Sequence, residues 1–139
     1  VSELRIRPAK TGDGETVLRI WREADAVVST TDDLDAVRVL LDRDPDALLI
    51  AELDGHCVGT LIAGWDGWRA NLYRLAVLPG WRRRGIARAL VETAEARLRS
   101  LSARRGAAVV VIDHDHATAF WRSMHYELDE RIGRFAKML

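Results

Sequence analysis

The sequence predicts an α/β (α+β) fold with a mixed central sheet of about six strands, in a single domain covering residues 1 to 139. Three observations lead there. Two Asp-Gly pairs, at 54–55 and 66–67, divide three strand-like apolar runs that follow one another with no helix between them. Two short amphipathic stretches precede those runs and follow a single short strand. From Leu72 to Asp113 a strand, a basic loop, a helix and a second apolar run come in succession, the layout of a right-handed crossover between parallel neighbours. At 139 residues and 48% hydrophobic, the chain can bury one core and is too short for two.

Each element has a local reason. Leu4-Arg5-Ile6-Arg7 alternates as a half-buried strand does. From Asp13 to Ala24, the residues Val17, Leu18, Ile20, Trp21 and Ala24 recur at helical spacing. Leu34, Val37, Leu40 and Leu41 mark a second helix ending near Asp44-Pro45, and Ser29-Thr30-Thr31-Asp32-Asp33 before it supplies N-capping side chains. Ala47 to Leu53 and His56 to Trp65 flank Asp54-Gly55, which accepts the positive φ of a tight hairpin turn. Asp66-Gly67 repeats the device and leads into a strand from Arg69 to Val77. Ile86, Leu90, Val91, Ala94 and Leu98 form the buried stripe of the next helix. Ala107 to Asp113, AAVVVID, is the continuous apolar run of a central strand covered on both faces. Ala117, Phe120, Trp121 and Met124 place an apolar face on a last helix, and Leu128 to Met138 reads as a final strand. The order is strand, helix, helix, three strands, helix, strand, helix, strand.

The stretch Leu72 to Val91, LYRLAVLPGWRRRGIARALV, carries the chemistry. An apolar strand breaks at Leu78-Pro79, crosses a basic loop and opens directly into a helix. A helix start leaves backbone N–H groups without partners and gathers partial positive charge, so this layout builds an anion site suited to phosphate. Arg82, Arg83, Arg84 and Arg88 add cationic charge, and Gly85 removes a side chain where backbone and ligand approach most closely. The spelling excludes the loops of nucleoside triphosphates and dinucleotides, because there is no GxxxxGK followed by Ser or Thr, and one glycine cannot make GxGxxG.

Arg82-Arg83-Arg84-Gly85-Ile86-Ala87 fits the pattern (Gln/Arg)xxGx(Gly/Ala), and with its preceding strand and following helix it resembles the central motif of the GNAT family of N-acetyltransferases. The predicted element order is similar to that family's over essentially the whole chain. The resemblance implies an acetyl-CoA-dependent N-acetyltransferase. It implies a bulge in the strand before the motif, with the pantetheine arm of acetyl-CoA paired to main-chain groups of Leu75, Ala76 and Val77. The pyrophosphate would rest on the amides from Arg82 to Arg88, so on Arg82, Arg83, Arg84, Gly85, Ile86, Ala87 and Arg88. A backbone N–H near Leu75 would face the thioester carbonyl as an oxyanion donor. On the last helix the family shows Asn, then Ala, Phe-Tyr and Gly-Phe, matched here by His114, Ala117, Phe120-Trp121 and His125-Tyr126. His114 can still hydrogen-bond the cofactor arm. Trp121 replaces the tyrosine held to protonate the departing thiolate, and an indole N–H donates a hydrogen bond without useful acidity.

The expected reaction is direct attack of a neutral amine on the acetyl thioester in a ternary complex. An alkylammonium must first lose a proton. Asn71 and Tyr73 lie on the strand bordering the reaction site, Asp113 and His114 end the other bordering strand, and Glu52 sits on the neighbouring hairpin; any of these can act through water. Cys57 as a covalent acetyl carrier has no paired base to support it. The resemblance places the acceptor beside Trp21, Asp25, Asp32 and Asp33, with Asp35, Trp65, Asp66 and Trp68 nearby. Aromatic and acidic groups suit a cation, and the charge is uneven in the same sense. Residues 1 to 70 hold 8 Arg/Lys against 14 Asp/Glu, and residues 71 to 139 hold 13 against 7. The acceptor is a small amine or a protein N-terminus.

Two other classes compete. A silent acyl-CoA-binding protein of the same fold fits Trp121 and the missing obvious base. A nucleic-acid module would use Arg82 to Arg84, Arg88, Arg97, Arg99, Arg104 and Arg105, against which stand zero net charge and no interleaved aromatics. No metal, nucleic-acid or membrane partner is expected, since no run approaches the roughly 18 apolar residues of a membrane span. A chain with one cysteine and no secretory h-region at VSELRIRP is expected in the cytoplasm, as monomer or homodimer.

Overall fold

The computed structural model describes residues 3–24 and 29–139. Its elements are β1 (Leu4–Pro8), α1 (Gly14–Glu23), α2 (Leu34–Arg43), β2 (Leu48–Leu53), β3 (His56–Trp65), β4 (Ala70–Val77), α3 (Ile86–Ser100), β5 (Gly106–Ala108) and α4 (Asp115–Ser123). The chain divides into two compact units: one reaching Val109, with the sheet and α1 to α3, and one from Val110 onward, with α4. The sheet is mixed and its spatial order follows the sequence, β1-β2-β3-β4-β5. The first four strands pair antiparallel, and β4 and β5 pair parallel.

The two Asp-Gly turns form for different reasons. Asp54 and Gly55 both take positive φ, 53° and 80°, as a two-residue turn matched to strand twist requires. At the second turn the Asp66 carboxylate accepts the N–H groups of Arg69 (2.6 Å) and Trp68 (2.8 Å). These backbone donors, Arg69 foremost, hold the Asp66 carboxyl below the usual carboxylate range.

Val17, Ile20 and Trp21 of α1 and Val37 and Leu41 of α2 pack with Leu48, Ile50 and Ala76. Helix α3 buries Ile86, Leu90, Val91, Ala94 and Leu98, the predicted stripe. Gly59 allows α3 to sit close: a Cβ there would lie 3.0 Å from the Ala76 carbonyl oxygen, 3.2 Å from Leu90 and 3.3 Å from Ile86. Arg97 fastens the other end of α3, donating to both carboxylate oxygens of Asp44 (2.6 and 2.7 Å) and to the Ala63 carbonyl (2.7 Å).

Two strand expectations change in extent. The parallel strand expected over Ala107 to Asp113 pairs only through Ala108, with Val109 N–H closing onto the Leu72 carbonyl at 3.0 Å. Val109, Val111 and Ile112 are exposed, so the run is not covered on both faces. Leu128 to Met138 forms no strand, leaving five strands in the described sheet. The apolar residues Leu128, Ile132, Phe135 and Met138 recur at intervals of four, three and three, which lacks the period of two that a half-buried strand needs.

Candidate active site

The centre of the site is a bulge in β4. Gly59 pairs with Val77 and Thr60 with Ala76, but Ile62 pairs with Tyr73, so β4 carries one residue more than β3 across this interval. Arg74 absorbs it with φ 58°, in the left-handed region. The bulge also breaks alternation. Tyr73 lies opposite Ile62, which packs on the α1–α2 side, and the Arg74 guanidinium reaches that same side, 5.1 Å over the Trp21 ring. On the other edge of β4 the parallel ladder to β5 ends at Leu72, just before the bulge. The edge of Leu75, Ala76 and Val77 facing away from β3 therefore carries main-chain groups outside any described ladder, the template that an extended partner can join.

The basic loop follows at once. A 3-10 turn over Pro79–Trp81 ends at Arg82, Arg83 takes φ 64°, and Gly85 takes φ 79° as the N-cap of α3. Left-handed residues among ordinary ones turn successive N–H groups into an anion-binding concavity. No side chain caps α3, so the amides that open it are not taken by a cap group. The arginines differ in state. Arg82 Nε donates to the Val77 carbonyl at 3.2 Å, Arg84 stacks 5.0 Å over the Trp81 ring, and Arg88 lies 3.8 Å from Glu92. Arg83 has no such partner among the described residues. Ile86 is buried while Ala87 is half-buried, which anchors the first turn.

Of the residues expected around the acceptor, Trp21, Asp32 and Asp33 have partners within the protein. Trp21 is buried and its indole N–H donates to Thr60 Oγ1 at 2.9 Å. Asp32 accepts from Arg74 with both oxygens, at 2.6 and 2.8 Å. Asp33 caps α2 through the Ala36 N–H at 2.8 Å. Asp25 lies outside the described residues. Of the proton-transfer candidates, Glu52 pairs with Arg7, which also holds Asp13, whereas Tyr73 is partly exposed beside Gly64. Asn71 lines a cleft of about 640 Å³ at the start of β4, with Trp65, Trp68, Arg69, Arg104 and Arg105. Burial pushes the Cys57 thiol up, which reduces the thiolate a covalent carrier would need.

In the second unit, His114 precedes α4, its carbonyl accepting the N–H groups of Ala117 and Thr118 and its ring stacked on His116 at 5.7 Å. Trp121 is buried between edge contacts from Phe120 and Tyr126, at 5.6 and 4.9 Å. His125 takes φ 69°, with its own N–H bonded to Arg122 and that of Tyr126 to Trp121. A glycine normally ends a helix in this way.

With this geometry, the model of the acetyltransferase (GNAT) family matches residues 15–126. The chain belongs to that family. It is an acyl-CoA-dependent N-acetyltransferase of this type. An acetyltransferase of Sodalis glossinidius (strain morsitans) is 31% identical over 136 residues, covering 98% of this chain and 96% of the relative. Among solved structures, Ard1 from Thermoplasma volcanium has the same fold at a TM-score of 0.81, with 21% identity over 91% of this chain and 84% of that one. Diaminobutyrate acetyltransferase from Paenibacillus lautus, solved with L-2,4-diaminobutyric acid and coenzyme A, gives a TM-score of 0.76 and 21% identity over 89% of this chain and 75% of that one.

Two residues that shape the β4 bulge were not legible in the sequence. Thr60 sits among apolar residues in β3 and reads as an ordinary strand threonine, and Arg74 lies in a strand with no Gly or Pro to mark a bulge. The one available signal is Trp21, since a buried indole N–H needs an acceptor. Among the described residues no helix is long and apolar enough to cross a membrane, and no cluster of three or more His, Cys, Asp or Glu side chains is placed to hold a metal ion.

Proposed function

We propose that this chain works in the cytoplasm as one domain over residues 1–139, transferring the acetyl group of acetyl-CoA to a primary amine by direct attack within a ternary complex. The observation carrying this reading is the continuity from the bulge at Arg74, along the open edge of β4, to the left-handed loop and uncapped start of α3. These residues fit the donor in both chemistry and order. Main-chain groups of Leu75, Ala76 and Val77 add the pantetheine arm as a further strand, exposed Val109 offers apolar surface beside it, and amides from Arg82 to Arg88 take the pyrophosphate. Arg83 and Arg84 supply charge, and Gly85 supplies the φ that the loop needs.

The amine nitrogen forms a bond to the thioester carbon, the carbon–sulfur bond breaks, and sulfur leaves as the CoA thiolate. The Leu75 N–H stabilises the charge that develops on the thioester oxygen. Tyr73 and Asn71 border this position on β4 and hydrogen-bond a water, which takes the amine's proton. The thiolate takes its final proton from solvent.

The acceptor is a small amine or a protein N-terminus. Diaminobutyric acid bound to the Paenibacillus lautus relative supports a compact, amine-bearing molecule, and the acidic first half of the chain supports a cationic one. The test is thiol release from acetyl-CoA across a panel of diamines, polyamines, amino acids and N-terminal peptides. Saturable, amine-dependent release supports the enzyme. Acetyl-CoA binding without release for any amine supports a silent binder.

A further inference from the structure

Thr60 is the polar residue buried in the core of the described chain, and its hydroxyl stands between two partners. It accepts the indole N–H of Trp21 at 2.9 Å and donates to the main-chain carbonyl of Arg74 at 2.9 Å. The direction of this relay is fixed, because an indole N–H can only donate and a carbonyl can only accept. Arg74 is also the residue at φ 58° that makes the β4 bulge. Its side chain is held in turn, by both oxygens of Asp32 and by the face of Trp21. One residue is thus clamped through its carbonyl and its guanidinium, and Trp21 stands behind both clamps.

The peptide unit clamped at Arg74 is the one that carries the Leu75 N–H. A trans peptide is planar, with carbonyl oxygen and amide hydrogen on opposite sides. A carbonyl drawn toward Thr60 on β3 therefore turns the Leu75 N–H the other way, toward the open edge of β4. Donation to the carbonyl also polarises the peptide and strengthens its N–H as a donor. We infer that Thr60, supported by Trp21 and Asp32, is a positioning residue that aims the Leu75 amide at the thioester oxygen. The inference rests on the reading of that amide as oxyanion donor. Trp21 and Asp32 then act through the bulge and do not need to touch the acceptor.

The test needs no knowledge of the acceptor. Infrared difference spectra of carbonyl-labelled acetyl-CoA bound to the protein report how strongly the thioester oxygen is polarised, calorimetry reports affinity, and hydroxylamine serves as a generic amine for turnover. In the wild type the bound carbonyl frequency falls relative to free acetyl-CoA. In Thr60→Val that shift shrinks by roughly half or more, turnover at saturating acetyl-CoA falls about 10- to 100-fold, and the dissociation constant changes by less than about 3-fold, because a mis-aimed donor costs transition-state more than ground-state stabilisation. Thr60→Ser, which keeps the hydroxyl, restores shift and rate. Asp32→Asn, which loosens only the side-chain clamp, gives a smaller loss of the same kind and provides the reading if Thr60→Val does not fold. A wild-type shift in Thr60→Val with binding intact overturns this inference alone, as does a wild-type shift in Asp32→Asn if that is the variant that folds. Failure of the wild type to bind acetyl-CoA overturns the proposed function and this inference with it.

Discussion

Arg7 donates to both oxygens of Asp13, at 2.8 and 3.1 Å, and to Glu52, tying the turn before α1 to β2. The Arg7 hydrogen bond is the main reason that the Asp13 carboxyl sits below its ordinary range. A depressed folded pKa contributes stability that is present above the unfolded value, about 3.9, and is lost as pH falls through the folded one. Thermal melts between pH 6 and pH 2 are therefore expected to drop from about pH 4 downward, and Asp13→Asn is expected to melt lower at neutral pH with a flatter acid limb. Because the pair is partly exposed, the neutral-pH loss is about 1 kcal/mol or less. Residue-level meaning was legible where it depended on neighbours in sequence, as with Asp33 at the start of α2. It was not legible where partners are far apart. Asp32 reads as a capping or acceptor residue until Arg74, 42 positions away, is seen to hold it, and Trp21 meets Thr60 across 39 positions.

Among the elements, α3 depends on Gly59, where even a methyl group meets the Ala76 carbonyl and the first turns of the helix. Gly59→Ala is expected to cost about 1–3 kcal/mol by overpacking and, by lifting the Ile86 end of α3, to weaken acetyl-CoA binding. Comparison of denaturant midpoint and calorimetric affinity checks both effects. Helix α4 ends with His125 in a conformation that costs a side-chain-bearing residue roughly 1 kcal/mol, so His125→Gly is expected to stabilise by about that amount in a denaturant titration. The helices and hairpins were legible because each has a local cause: an apolar stripe, a cap, or an Asp-Gly pair. The limits of β5 were not, because AAVVVID describes an apolar run and not the point where β4 bends away at Arg74. The last segment has the apolar content of a strand but not its period of two, and it forms none.

Across the whole molecule, charge is zero in sum and divided in sequence, with most of the uncompensated arginine in the half that carries the loop. Binding led by exposed arginines is screened by salt. The affinity for acetyl-CoA is expected to fall roughly 3- to 10-fold between about 0.05 M and 0.5 M salt, measured by calorimetry, while backbone contacts keep it from vanishing. The family was legible because the loop spelling, the strand before it and the order of elements agree, and the family model spans both units. The acceptor was not, because Trp21, Asp32 and Asp33, which read as acceptor contacts in the sequence, hold partners within the protein. Donor binding turns most directly on where the pyrophosphate sits. Gly85→Asp tests it: φ 79° is tolerable for Asp at about 1 kcal/mol, and a Cβ there meets no protein atom within 4 Å, so the fold survives while a carboxylate enters the anion seat. Titration with acetyl-CoA should give micromolar binding for the wild type and a loss of roughly 30-fold or more for the variant, a loss of about 2 kcal/mol in binding, with melting temperatures close together. Equal affinity in the two proteins, or no binding by wild type free of copurified coenzyme A, would contradict the account.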